Sequence, residues 1–215
     1  MCVYYPKSKV EIKGFTAKHY DTLMSIITLG AYPKLMKKAI KLMNIKYDDN
    51  ILDLGSGTGK NACFMSKYIS SEGKIIGLDI SKQMMDQFEK NCSNLPNIKV
   101  IEQRIDKPLA YENEFDKVFI SFVLHGFPQE VRIQIIKNAF KALKTHGEFF
   151  ILDYDEFSLN DLPFYIKYPF KFIECPYAFD FIEKDWKKIL VNEGFNNVEE
   201  YPLFGKYVRL LKAQR

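Results

Sequence analysis

Ile51-Leu52-Asp53-Leu54-Gly55-Ser56-Gly57-Thr58-Gly59-Lys60 decides how this chain is read. Apolar residues surround one acid, Asp53, and three glycines then alternate with small polar residues. An apolar run ending in such glycines predicts a buried strand that enters a tight turn, with a helix beyond it. Glycine permits left-handed backbone and lets a ligand come close to main-chain N–H groups. Further on, Ile75-Ile76-Gly77-Leu78-Asp79 predicts a second buried strand with an acid at its carboxyl end. Strand, glycine turn, helix, strand and acid make the layout of a nucleoside-binding α/β unit.

The flanking sequence extends this pattern. Residues 15–43 read as helical, divided by Gly30 and Pro33. The helix after the turn spans 61–69, the second strand 74–78, and Ser81 suits the N-cap of the next helix. Further strands are expected at 98–102, 115–121 and 148–153. A helix is expected at 129–143, closed by Thr145-His146-Gly147. After a last helix at 185–192, strands from 194–198 and 206–211 follow without a helix between them, which predicts an antiparallel hairpin. The expected fold is α/β: a Rossmann-like seven-stranded, mostly parallel sheet with a C-terminal antiparallel hairpin and helices on both faces. Right-handed crossovers bring the carboxyl ends of the parallel strands to one edge, where ligands bind. Residues 53–59, Asp79, 104–106, 121–125 and Asp153 should line that edge.

One domain is expected, with an N-terminal helical lid (1–46), a core (47–156), an insertion (157–184) and a final helix and hairpin (185–215). The insertion holds Phe157, Phe164, Tyr165, Tyr168, Phe170, Phe172, Tyr177, Phe179 and Phe181, and its prolines 163, 169 and 176 argue against regular structure. It reads as an aromatic cap over the site.

A hydrophobic content of 47% suits a folded core, and a net charge of +4 does not demand a nucleic-acid partner. The four cysteines lack the spacing of a zinc or redox motif, so reduced thiols and no metal are expected. The start lacks the apolar core of a signal peptide, and no run approaches the ~20 apolar residues of a membrane span. A cytoplasmic location is expected, with peripheral membrane contact if the acceptor is lipid-like. Monomer and homodimer both stay open.

Three nucleotide classes use a glycine turn. A phosphate loop anchored on Gly59-Lys60 would place Leu54 where glycine is needed and Asn61 where magnesium needs a hydroxyl. A dinucleotide turn starting at Gly55 and Gly57 would require a third glycine where Lys60 stands. The remaining pattern, Asp53-Leu54-Gly55-Ser56-Gly57-Thr58-Gly59, resembles motif I of the class I S-adenosylmethionine-dependent methyltransferases. Phe115-Asp116-Lys117-Val118 with Leu124-His125, Leu143-Lys144-Thr145-His146-Gly147 and Glu193-Gly194-Phe195 resemble later motifs of that family, in order. Ala17-Lys18-His19-Tyr20-Asp21, Leu29-Gly30 and Lys37-Lys38 are similar to the lid of its UbiE/COQ5-like group. Arg104-Ile105-Asp106 stands where that group usually carries a glycine-aspartate pair.

The resemblance implies S-adenosylmethionine as cofactor and S-adenosylhomocysteine as product. It implies cofactor contacts from Asp53, Gly55, Ser56, Gly57, Gly59, Asp79, Ile80, Met84, Arg104, Ile105, Asp106 and Ser121, with Asp79 accepting both ribose hydroxyls. Methyl transfer mainly needs alignment and exclusion of water. His125, just past strand four, is the candidate base for an acceptor that must lose a proton, and Asp153 would orient the acceptor. Tyr20 and Asp21 would close over the cofactor, while Tyr165 and Tyr177 would face the acceptor. An aromatic cap suits a small apolar or aromatic acceptor such as a quinol; a phospholipid headgroup or small amine is the alternative. A cofactor-binding sensor or assembly protein without catalysis is the third reading.

Overall fold

In the computed structural model of the chain, the structure describes Tyr5, Ser8, residues 31–205 and residues 207–215. Its sheet contains β1 (Asn50–Leu54), β2 (Lys74–Asp79), β3 (Ile98–Glu102), β4 (Phe115–Ser121), β5 (Leu143–Tyr154), β6 (Asn196–Phe204) and β7 (Val208–Gln214). The order is β3-β2-β1-β4-β5-β7-β6. β1 to β5 pair in parallel, and β7 runs antiparallel between β5 and β6. The expected parallel sheet with a terminal antiparallel hairpin is therefore present. Because β2 and β4 lie on opposite sides of β1, the strand order reverses there, and a crevice opens at the carboxyl ends of β1 and β4.

Period-two alternation gives each sheet face its own core. Leu52, Leu54, Val118, Ile120, Phe149 and Ile151 point to one face, under α4 (Gln129–Ala142) and α7 (Trp186–Asn192). Ile51, Ile75, Phe119, Phe150 and Leu152 point to the other, under α1 (Ala31–Leu42), α2 (Lys60–Met65) and α3 (Lys82–Asn91). Strands buried on both faces explain the near-continuous apolar runs in the sequence.

Local departures from the sequence expectations have physical causes. Pro33 lies in the first turn of α1, where the missing N–H costs nothing, so it does not break that helix. α2 ends at Met65 rather than at 69; Ser66 Oγ donates to Cys63 O at 2.9 Å and competes with continued helix. The turn expected at 145–147 is absorbed into β5, whose register shifts between Phe115 and Lys117, with His146 at φ 65°. The insertion is regular where irregular chain was expected. Pro163 caps α5 (Phe164–Ile173) and Pro176 opens α6 (Pro176–Phe181), so these two prolines start helices. Residues 15–30, the first part of the expected helical lid, lie outside the described residues.

One side chain fastens the insertion to the core. Arg132 of α4 has no solvent exposure. It donates to Leu124 O (3.3 Å), His125 O (3.1 Å), Tyr177 O (2.6 Å) and Asp180 Oδ2 (2.7 Å). Its guanidinium lies 5.2 Å from the Phe181 ring centre and 5.7 Å from that of Trp186. Guanidinium suits this place because it is planar, forks its donors and stacks on rings. Arg132→Met is expected to cost roughly 3–5 kcal/mol in urea denaturation, the usual result of stripping a buried charge network. Arg132→Lys should recover only part of that loss; full recovery would mean that charge alone matters here.

Candidate cofactor and acceptor site

The glycine turn hangs from the end of β2. The N–H groups of Gly55 and Ser56 both donate to Leu78 O, at 2.8 and 3.0 Å. Gly55 has φ +72°, and a Cβ there would come within 2.8 Å of Val123 Cγ2. The chain's own packing thus requires that glycine. Gly57, at φ +53°, differs: a Cβ there would meet nothing within 4 Å. Open space over a left-handed glycine is what a ligand approaching the main chain needs.

Asp79 braces this turn from the next strand. Its Oδ2 accepts from Gly57 N at 2.8 Å, and its Oδ1 accepts from Ile80 N and Ser81 N at 2.8 and 2.9 Å. Burial raises the Asp79 carboxyl, opposed by those three N–H groups. Ser81 stands at the α3 N-cap as expected, but its side chain makes no capping bond, and its own N–H donates to Asp79 Oδ1.

Asp53 is the unusual group. It is buried, and neither carboxylate oxygen has a hydrogen-bond partner among the described residues; the same holds for Ser56 Oγ. Burial, then the neighbouring Asp79 charge, pushes Asp53 up to about 7. A buried unpaired carboxylate is costly. A cation with hydroxyl groups would relieve it, and S-adenosylmethionine carries a sulfonium, an ammonium and a ribose diol. Asp53, Ser56 and the open backbone at Gly57 therefore fit that cofactor.

The other sequence candidates fall into place around this turn. Met84 is buried on α3, and Ile80 is exposed beside Asp79. Ser121, at the end of β4, accepts a 2.9 Å bond from Asn61 Nδ2, which joins the start of α2 to the end of β4. Arg104 and Asp106 pair with each other at 2.5 Å, and Tyr5 Oη donates to Asp106 at 2.7 Å. Burial would raise Asp106, but the bonds from Arg104 and Tyr5 outweigh it and hold it below the usual carboxylate range. Ile105 is buried, and its carbonyl is taken by Asn138 Nδ2. Tyr20 and Asp21 lie outside the described residues. Tyr165 lies on α5, and Tyr177 on α6 is held by its carbonyl to Arg132.

His125 and Asp153 come together at the ends of β4 and β5. Asp153 Oδ1 lies 2.7 Å from His125 Nδ1, and Asp153 Oδ2 accepts from His125 N at 3.2 Å. On the ring's other side, Glu174 Oε2 is 3.4 Å from Nε2, while Glu174 Oε1 accepts from Tyr154 Oη at 2.6 Å. Burial would depress the imidazole; Asp153 and then Glu174 overturn that and lift it to about 10. The two flanking carboxylates thus favour the protonated form of His125. Its ring packs against Tyr154 and, edge-on, Phe181. Phe122 starts this loop at φ +51°, a strained value for a bulky residue of the kind found at functional sites. Sequence reasoning missed Glu174 and Arg132. The signal for Glu174 was weak, one of four acids in an aromatic-rich cap; Arg132 gave none, since an arginine on an amphipathic helix usually faces solvent.

A family model described as the ubiE/COQ5 methyltransferase family matches residues 8–202. The chain belongs to that family. Membership makes it a methyltransferase with S-adenosylmethionine as methyl donor, as the sequence motifs imply. The "Demethylmenaquinone methyltransferase" of Lactobacillus johnsonii is 33% identical over 140 residues, covering 64% of this chain and 57% of that protein. The "Ubiquinone/menaquinone biosynthesis C-methyltransferase UbiE" of Francisella tularensis subsp. novicida is 26% identical, covering 90% of this chain and 85% of that protein. A solved SAM-dependent methyltransferase from Aquifex aeolicus shares the fold, with TM-score 0.64 and 20% identity, covering 83% of this chain and 88% of that one.

The orphaned carboxylate has a measurable consequence. Between about pH 4 and 7 the folded ligand-free chain keeps a proton on Asp53 that the unfolded chain has released, so stability falls as pH rises through that window. Asp53→Asn should remove this contribution, worth about 1.4 kcal/mol for each pH unit. Urea denaturation of both proteins across pH 4–8 checks it; parallel stability curves would contradict it.

Proposed function

We propose that this ubiE/COQ5 family member methylates a small lipophilic quinol, a reduced ring of the demethylmenaquinone type. The observation that carries the reading is the His125–Asp153–Glu174–Tyr154 cluster at the strand ends, walled by aromatic side chains. The printed names of the relatives support the same acceptor class.

S-adenosylmethionine, when bound, supplies an electrophilic methyl group. The chain's residues do the rest. Asp53, Ser56 and the turn at Gly57 would hold the cofactor, and Asp79 would keep that turn in shape while facing the ribose. A quinol becomes a good carbon nucleophile only when a ring hydroxyl loses its proton. His125, whose protonated form is favoured, is poorly suited to take it at neutral pH. In this reading Glu174 accepts the proton, and the imidazolium Nε2–H turns from its long 3.4 Å contact to the acceptor's new oxyanion. Asp153 fixes the ring by Nδ1, and Arg132 fixes the loop through the His125 carbonyl. The rings of Tyr154, Phe170 and Phe181 exclude water from the aromatic acceptor.

Delivery from a membrane surface fits the exterior of the cap. Phe164, Tyr168 and Phe172 recur at i, i+4 and i+8 on α5 with 73, 69 and 88% exposure, beside Lys167 and Lys171. Aromatic residues with lysines suit the headgroup layer of a bilayer. No helix among the described residues is long and apolar enough to cross a membrane.

The test uses cofactor labelled in its methyl group, with a short-chain demethylmenaquinol or a phospholipid as acceptor. Label on the quinol ring carbon is expected, with kcat falling on the order of 10²-fold or more in Glu174→Gln and the acidic limb of the pH–rate profile lost. Label in the lipid headgroup, or tight cofactor binding with no transfer to the quinol, would overturn the assignment.

A further inference from the structure

Cys63 and Cys92 are 29 residues apart in sequence, and neither belongs to the sites above. In the fold they meet. Cys63 lies in α2, the helix that leaves the glycine turn, and Cys92 caps the end of α3, which follows Asp79. Their sulfurs are 3.0 Å apart, and no disulfide joins them. A disulfide requires a further approach to about 2.05 Å, a movement of about 1 Å between helices already packed together.

The surroundings hold the pair in place and leave it reachable. Cys63 N donates to Gly59 O at 2.9 Å, and Cys63 Sγ lies 3.5 Å from Asn91 O. Asn91 Nδ2 donates to Thr58 O at 2.9 Å, so the residue before Cys92 is tied to the glycine turn as well. Cys63 is half-buried, and Cys92 borders a groove of about 280 Å³ whose wall includes Phe88, Leu95, Pro96 and Ile98. Cys92 and Cys175 are both buried, so of these three thiols Cys63 is the one that solvent reaches.

We infer that Cys63 and Cys92 form an oxidisable dithiol, which a peroxide converts to an intramolecular disulfide beneath the cofactor turn. In the first step the Cys63 sulfur attacks one peroxide oxygen: an S–O bond forms, the O–O bond breaks, and the departing hydroxide leaves as water with the thiol proton. In the second step the Cys92 sulfur attacks the Cys63 sulfur: an S–S bond forms, the S–O bond breaks, and a second water leaves with the Cys92 proton. Two electrons pass from the two sulfurs to one peroxide. Cys63 is the attacking thiol because it is the more exposed, while Cys92, whose thiol is raised first by its hydrogen bond with Cys63 and then by burial, resolves. The product ties α2 to α3 and so fixes the helix that leaves the turn against the one that follows Asp79.

The test treats the purified full chain with hydrogen peroxide near stoichiometry and digests it with trypsin without reductant. Peptides 61–67 and 91–99 should appear joined, about two mass units below their sum, and should separate on adding dithiothreitol. The oxidised chain should melt at least about 5 °C higher than the reduced one, because the bond restrains the unfolded chain. Cys63→Ser and Cys92→Ala should each abolish the linked peptide and the rise in melting temperature. Oxidation appearing at Cys2 or Cys175, with residues 63 and 92 unlinked, would overturn the proposal. So would a linked species that melts no higher than the reduced chain. None of these readouts depends on which acceptor the enzyme methylates.

Discussion

The carboxylate of Asp79 carries the architecture of the cofactor end. It accepts three main-chain N–H groups, from Gly57, Ile80 and Ser81, and so couples the glycine turn, the end of β2 and the start of α3. These bonds fix three main-chain donors from two separate segments to one side chain. One acid therefore sets the shape of the turn. Beside it, Asp53 contributes a carboxylate that the described residues leave unanswered. Burial and the neighbouring Asp79 charge both disfavour ionised Asp53.

The second half of the site obeys the opposite logic. Around His125 every charge is answered, by Asp153 on one nitrogen and Glu174 on the other, with Arg132 holding the loop from beneath. The cofactor end is thus unsatisfied and open, whereas the acceptor end is satisfied and fixed. Methyl transfer calls for this division, because alignment is what the enzyme must supply. The cap contributes twice: its Phe181 ring packs against His125, and its carboxylates at Glu174 and Asp180 face His125 and Arg132.

Much of this was legible in the sequence because it depends on local chemistry. The strand and glycine pattern of 50–59 and the acid at 79 are short-range features, and their elements appear where periodicity places them. The order of alternating elements gave the sheet, and the absence of a helix between the last two strands gave the hairpin. The cap was read wrongly as irregular because Pro163 and Pro176 act as helix starts, which proline counting does not reveal. Glu174, Arg132 and the Cys63–Cys92 pair were invisible for a different reason. Each depends on a contact across roughly 30 to 50 residues that only tertiary packing creates. The environment of His125 belongs with them: residue type suggested a base near neutrality, and the two carboxylates that face it and raise its pKa come from distant segments.

The account stands on Asp79 and the turn it braces as the place where the methyl donor is held. Its most direct test is the dissociation constant of S-adenosylhomocysteine measured by titration calorimetry for the parent chain and for Asp79→Ala. The account predicts measurable binding to the parent and a loss of roughly 1.5–3 kcal/mol, or about 10- to 150-fold in affinity, in the variant. Equal affinity in the two proteins, or no binding to the parent, would contradict it.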